Sequence, residues 1–338
     1  MFRARLYILF VLFFVASVFG RFQSYDLYYV GAKGAALGGA YVSVADEPSA
    51  IFWNPAGLVQ QTKPTISYLL DTQFFLNSLR DPLYRAFKVT YKTPALLSYV
   101  HPLNNKYNMV FGFGAMTPIQ RKIDSAFYVV QIGPSFAFMP FKNFSLGAGM
   151  GYLISSFGFT LGGGWGFQVG ALYKISSFLR LGAVYRSGSS IKWSQIRVEQ
   201  TFPAVAQMGA TWKLSRTFFL LTDLEYQDWS KIRFVDKGLD KTPHIQTGLF
   251  YSILPHLGML IIDENSGAHF RFGLMNHSFL DAVSHNIPQW NLTFGIGGRA
   301  VKNIYVEAGL RDSYIIGLFY DQEKSIETIQ FLINYKFE

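Results

Sequence analysis

The groups in this chain that could do chemistry are few and widely spaced. Asp223 and Glu225 stand two residues apart. On a strand that spacing puts both carboxylates on one face, roughly 7 Å apart, as an acid pair for hydrolysis would need. A polar row is the plainer reading, and nothing points to a serine, a histidine and a third polar group converging for nucleophilic catalysis. His101, His244, His256, His269, His277 and His285 are dispersed, with no HExxH or similar metal spacing. Without Cys there is no disulfide and no thiolate ligand. The glycine runs Gly147-Gly149-Gly151, Gly162-Gly163-Gly164 and Gly295-Gly297-Gly298 open no helix and precede no Lys-Ser or Lys-Thr, so they are not phosphate loops. On strands, Gly more often marks a bend or close packing. The chain is therefore read as a non-enzyme with no cofactor and no metal.

One residue type does recur in register. Arg180, Arg186, Arg271, Arg299 and Arg311, with Lys174, fall on the polar face of alternating segments. Residues 303–312 set Ile304, Val306, Ala308 and Leu310 against Tyr305, Glu307, Gly309 and Arg311. Residues 327–337 set Ile329, Phe331, Ile333, Tyr335 and Phe337 against Thr328, Gln330, Asn334 and Lys336, with Leu332 out of pattern. Residues 145–153, 167–174 and 179–186 repeat it. Period two is the signature of strands with one apolar and one polar face. An arginine on the polar face could hold a carboxylate ligand through two hydrogen bonds. Pairing with Asp223, Glu225 and Glu307 is the expectation for most of them.

The elements that carry these residues must therefore be strands. Turn-like clusters at Lys142-Asn143, Asn104-Asn105, residues 186–190, residues 264–267 and Lys302-Asn303 separate them. The count is about fourteen to sixteen strands of roughly nine to eleven residues, the length of a tilted membrane-crossing strand. Composition agrees. Half the chain is hydrophobic and 17% aromatic, yet only 15% is charged, against about 25% in soluble domains. Polar residues and Gly break every apolar run after the first, so a closed barrel is the way such a chain can satisfy its backbone in lipid. The net charge of +9 is scattered without a basic cluster, which argues against nucleic acid.

Residues 1–20 read as a signal peptide, with Arg3 and Arg5 before an apolar run shorter than the roughly 18–20 residues of a spanning helix. Residues 31–58 look unlike the rest. Gly31, Ala32, Gly34, Ala35, Ala36, Gly38, Gly39 and Ala40 let backbone approach backbone. A short helix should follow, with Asp46 as N-cap, Glu47 at its positive end and Pro48 in the first turn. Asn54 precedes Pro55 and should leave the helix there.

That Gly/Ala run, the acidic pair Asp46-Glu47 and then Trp53-Asn54-Pro55-Ala56-Gly57-Leu58 resemble the N-terminal hatch of the FadL/TodX family of outer-membrane transporters, and of the related PorV/PorQ group. A second succession resembles FadL/TodX members: Thr201-Phe202-Pro203-Ala204, residues 207–212, Asp223-Leu224-Glu225-Tyr226, and Trp229-Ser230. The terminal Tyr335-Lys336-Phe337 resembles the signal read by the outer-membrane insertion machinery, although Glu338 follows it.

The resemblance implies an all-β, transmembrane antiparallel β-barrel of about fourteen strands over residues 63–338, with a hatch at 21–62, in the outer membrane of a diderm bacterium. It implies passive uptake of a hydrophobic small molecule or lipid, of the long-chain fatty acid or aromatic hydrocarbon class. The ligand would enter from outside and leave through a gap governed by the hatch and a strand irregularity. Phe52, Trp53, Asn54 and Pro55 would border its path. The alternative is a PorV/PorQ-like role in protein secretion or surface attachment.

Overall fold

Strands that are apolar on one side only can hide neither face alone, and here they resolve this by closing into a ring. The computed structural model describes residues 26–27, 30–76, 87–103, 106–120, 128–157, 160–194, 199–228, 234–236, 239–241, 251–280, 286–313, 315 and 325–338. Fourteen antiparallel strands form a closed barrel. In chain order they are β1 (Thr65–Leu76), β2 (Phe87–Pro102), β3 (Val110–Gln120), β4 (Tyr128–Phe141), β5 (Phe144–Phe157), β6 (Thr160–Lys174), β7 (Leu179–Arg186, continued by Ser189–Trp193), β8 (Glu199–Phe202, continued by Ala204–Lys213), β9 (Phe218–Asp228), β10 (Tyr251–Ile262), β11 (His269–Leu280), β12 (Asn286–Val301), β13 (Ile304–Asp312) and β14 (Ser325–Lys336). Each pairs with its sequence neighbours, and β14 closes on β1 from Ser325↔Leu76 to Lys336↔Thr65. Closure removes the exposed edges that an open sheet would present.

The alternation read from sequence is the in–out alternation of this wall. On β13, Glu307, Gly309 and Arg311 are buried inward. Large apolar side chains such as Met208, Leu161, Trp165 and Phe167 are more than half exposed on the outside. Leu332, out of pattern in the sequence, is fully buried in the interior cluster with Leu69, Trp53 and Met275. At the end closed by short turns, Tyr335 and Phe337 meet edge to face at 5.0 Å, and Tyr99 meets Phe337 at 6.4 Å. An aromatic girdle at a membrane interface has this form.

The turn at Lys142-Asn143 is a tight one, with Asn143 at φ 70°, a conformation Asn tolerates. Residues 186–190, expected as a turn, are instead a break inside β7. Pro203 has no N–H for the ladder, and pairing stops between Phe202↔Ser189 and Val205↔Arg186. The β6 ladder slips by one residue across the same place, from Gln168↔Arg186 to Gly163↔Lys192. β3 has its own irregularity between Met116 and Ile119, around Thr117-Pro118.

Residues 30–61 lie within the ring. They carry α1 (Ala32–Ala36), α2 (Ala50–Trp53) and a 3-10 helix over Pro55–Gln60. The N-cap of α2 is Ser49, not Asp46, because Lys33 and Tyr41 take the Asp46 carboxylate. Upstream, Asp26–Leu27 pairs with Ile119 and Gln120 of β3. Residues 1–20 and Trp229-Ser230 lie outside the described residues.

Candidate functional site

The inner wall meets residues 30–61 on a shelf of glycines. Cross-strand pairs Gly147↔Gly170, Gly258↔Gly273 and Gly295↔Gly309 lie on the inward face. A Cβ on Gly258 would stand 2.7 Å from Leu37 O, one on Gly309 2.6 Å from Ala32 O, and one on Gly182 2.6 Å from Ser43 Cα. Only a missing side chain lets the two backbones approach this closely.

Polar side chains from the wall then satisfy the segment's backbone. Val42 N–H donates to Asp223 Oδ2 at 2.9 Å, and Gln207 Nε2 donates to Gly39 O at 3.1 Å. Thr293 Oγ1 donates to Ala36 O at 2.8 Å, Ser145 Oγ to Ala56 O at 3.0 Å, and Gln168 Nε2 to Ile51 O. Asp223 is thus committed to the segment. Glu225 lies 3.7 Å from His256 and accepts from Gln227 Nε2 at 2.5 Å. The two carboxylates serve the interior packing and form no hydrolytic pair.

Asn54 is the best connected of the candidate residues. Its Nδ2 donates to Val42 O at 2.9 Å and to Ala171 O on β6 at 3.0 Å, while Oδ1 accepts from Ala56 N–H at 3.1 Å. Trp53 is fully buried, donates from Nε1 to Val30 O at 2.7 Å, and packs edge-on against Tyr41 and Phe52. Pro55 backs onto Gly147 and Gly170. Of the four, Phe52 lines a cavity between the segment and the wall.

That cavity, of about 80 Å³, lies between the segment and the wall. Ile51, Phe52, Met116, Leu153, Phe202 and Val205 supply its apolar lining. It reaches Pro118 at the β3 irregularity, and Phe167, Ser187 and Pro203 at the β7 break. Of the five arginines, Arg186 alone lines it, with its guanidinium 4.7 Å from the Phe52 ring centroid and Nη2 donating to Gln207 Oε1 at 3.3 Å. Arg180 donates to Gln60 Oε1 at 2.9 Å, Arg271 pairs with Glu307, and Arg311 donates to Thr328. Arg299 stays in register opposite Tyr305 near the end of β12, where it is exposed and donates to Lys302 O in the adjoining turn instead of lining the cavity.

A second polar cluster sits where α1 meets β11 and β13. Lys33 Nζ pairs with Asp46 at 2.5 Å, Tyr41 donates to Asp46, and Ser49 Oγ donates to Glu47 Oε1 at 2.9 Å. Burial opposes ionisation of Asp46, but the Lys33 charge and these donors prevail and hold its carboxyl well below the usual range. Burial, then the Glu307 charge, pushes Glu47 up to about 7. Burial, then Asp46, raises Tyr41. Among the described residues no group of three or more His, Cys, Asp or Glu is placed to hold a metal.

No protein-family model and no curated protein matches this chain. Solved structures do match in fold. The CymD monoaromatic hydrocarbon channel aligns with a TM-score of 0.66 at 15% identity, over 93% of this chain and 99% of its own. The Ralstonia pickettii toluene transporter TbuX aligns at 0.64 and 14%, over 93% and 100%. A Pseudomonas aeruginosa FadL homologue aligns at 0.68 and 12%, over 94% and 100%. The chain has the FadL-type barrel fold.

Of the residues singled out from sequence, Asn54 anchors the segment, and Phe52 and Arg186 line the cavity. Sequence reading missed the glycine shelf, although its signal was present: single glycines at matching heights on successive strands, visible once the strands are paired.

Proposed function

We propose that this chain is an outer-membrane channel for passive uptake of hydrophobic small molecules, with residues 21–62 as its hatch. The observation that carries this reading is an apolar cavity, walled by Phe52, inside a lipid-facing barrel filled by its own N-terminal segment. The FadL-type fold, found in a hydrocarbon channel and a toluene transporter, supports it. A cavity near 150 Å³ is known to accept benzene, so at about 80 Å³ this one must widen to admit a ligand. Phe52 is the side chain on the segment placed to move. The breaks at Thr117-Pro118 and Ser187-Gly188, both reached by the cavity, are where the wall's hydrogen bonding least resists an exit.

The finer ligand class is the long-chain fatty acid, rather than the aromatic hydrocarbon, because a guanidinium borders an otherwise apolar cavity. Arg186→Gln should weaken binding of a long-chain carboxylate by about tenfold to a hundredfold, in line with roughly 1.5–3 kcal/mol for a hydrogen bond to a charge. Toluene binding should be unchanged. Isothermal titration with both ligands measures this, and equal loss for both rejects the carboxylate assignment.

Deleting residues 31–58 tests the reading as a whole. The product should remain a heat-modifiable barrel, conduct small ions better than the intact protein in planar bilayers, and lose selective uptake of a labelled hydrophobe. Unchanged conductance and uptake would mean the segment is no hatch. Absence of uptake by the intact protein, with a secreted protein co-purifying, would replace uptake by the PorV/PorQ-like role.

A further inference from the structure

Three carboxylates and two cations gather where the N-terminal segment meets the wall, all of them buried except Asp46, whose side chain is 35% exposed. Asp46 and Glu47 come from the segment and Glu307 from β13, against Lys33 from α1 and Arg271 from β11. Lys33 belongs to Asp46 and Arg271 to Glu307. Glu47 is left with an uncharged partner, the Ser49 hydroxyl on Oε1, and its buried Oε2 has no hydrogen-bond partner. His269 adds no charge. Its Nδ1 lies 3.4 Å from Arg271 Nη2, and an arginine nitrogen can only donate, so Nδ1 accepts. From β12 the segment receives Thr293, a neutral hydroxyl, and Tyr41 spends its hydroxyl on Asp46.

We propose that Glu47 carries the proton that lets this cluster close, so that seating of the N-terminal segment in the barrel is proton-linked: protonated Glu47 keeps the segment docked, and its ionisation beside Glu307 loosens it. This rests on the reading of the segment as a hatch only for its effect on conductance. A buried carboxylate next to another is expensive when the nearby Lys33 charge only partly offsets it, and taking up a proton relieves it. The sign follows. Glu47 is raised above its ordinary carboxylate range, so its contribution to docking is fully present below that range and lost as pH rises through about 7. The lowered Asp46 works the other way, keeping its contribution until strong acid.

The test uses the full chain and its Glu47→Gln variant, each in planar bilayers and in detergent, from about pH 5 to about pH 9, a span that covers carboxylate and histidine titration. Wild-type conductance should rise with a midpoint near neutrality, and Glu47→Gln should stay at the low level throughout. Trp53 emission, isolated by difference from Trp53→Phe, should shift over the same range in wild type and not in Glu47→Gln. Ser49→Ala removes a donor to the ionised form and should move the midpoint upward; it is also the working variant if Glu47→Gln does not fold. No transition in wild type overturns the proposal, as does a transition that persists in Glu47→Gln or one that follows sodium concentration instead of pH. If Trp53 reports the transition but conductance is flat, proton linkage stands and the hatch reading falls.

Discussion

Asn54 uses one amide to join three places: the turn at Val42, the next helix at Ala56 and the wall at Ala171. Asn54→Ala leaves the Val42 and Ala171 carbonyls and the Ala56 N–H without it, a cost of about 1–3 kcal/mol for a buried group. The expected outcome is faster amide exchange across residues 42–56, while exchange in the barrel strands is unchanged. This residue was legible because Asn before Pro in a small-residue setting has a local reason to turn. The arginines were less so. Register alone put all five on one face, but it carries no height along the barrel, and Arg299 sits at the strand end where it turns to the Lys302 carbonyl. Which of the inward arginines borders a cavity depends on partners that are distant in sequence, Gln60 for Arg180 and Glu307 for Arg271.

At the scale of the element, the segment is held by shape as much as by hydrogen bonds. Gly182→Val would push a side chain against Val42 O and Ser43 Cα. Overpacking of this kind costs roughly 1–3 kcal/mol. It should raise conductance in bilayers while the heat-modified gel shift persists. Gly267→Ala is the control. Its φ is +69° with nothing within 4 Å of the new Cβ, so it strains one turn and should leave conductance alone. The helix near Ala50 was foreseeable from its small and apolar run, but its cap was not. Asp46 is a good local cap on paper, and Lys33, thirteen residues upstream, outcompetes that local role. The break in β7 was misread as a turn because Ser187-Gly188-Ser189-Ser190 has turn composition, and only the pairing partner Pro203 discloses a strand that pauses and resumes.

For the molecule as a whole, period-two alternation carried most of the fold, because a lipid-facing wall and a filled interior both enforce it on every strand. Circular dichroism in detergent should be strand-dominated, and the unboiled band should migrate apart from the boiled one; a helix-rich spectrum would contradict the barrel. What periodicity could not convey is what fills the ring.

That filling has a consequence for assembly. Residue 61 is followed within a few positions by β1, and the ring is completed when β14 pairs with β1 and Phe337 N–H reaches Pro64 O. Residues 30–61 are therefore enclosed by a ring that the last strand closes. The expectation is that they act as a mandrel, in place before the final strand arrives. A chain ending before residue 325 should leave Lys33 open to trypsin, and a chain with all of β14 should protect it. Once the seam is shut the mandrel has no sideways way out, so any displacement of it must run along the barrel axis.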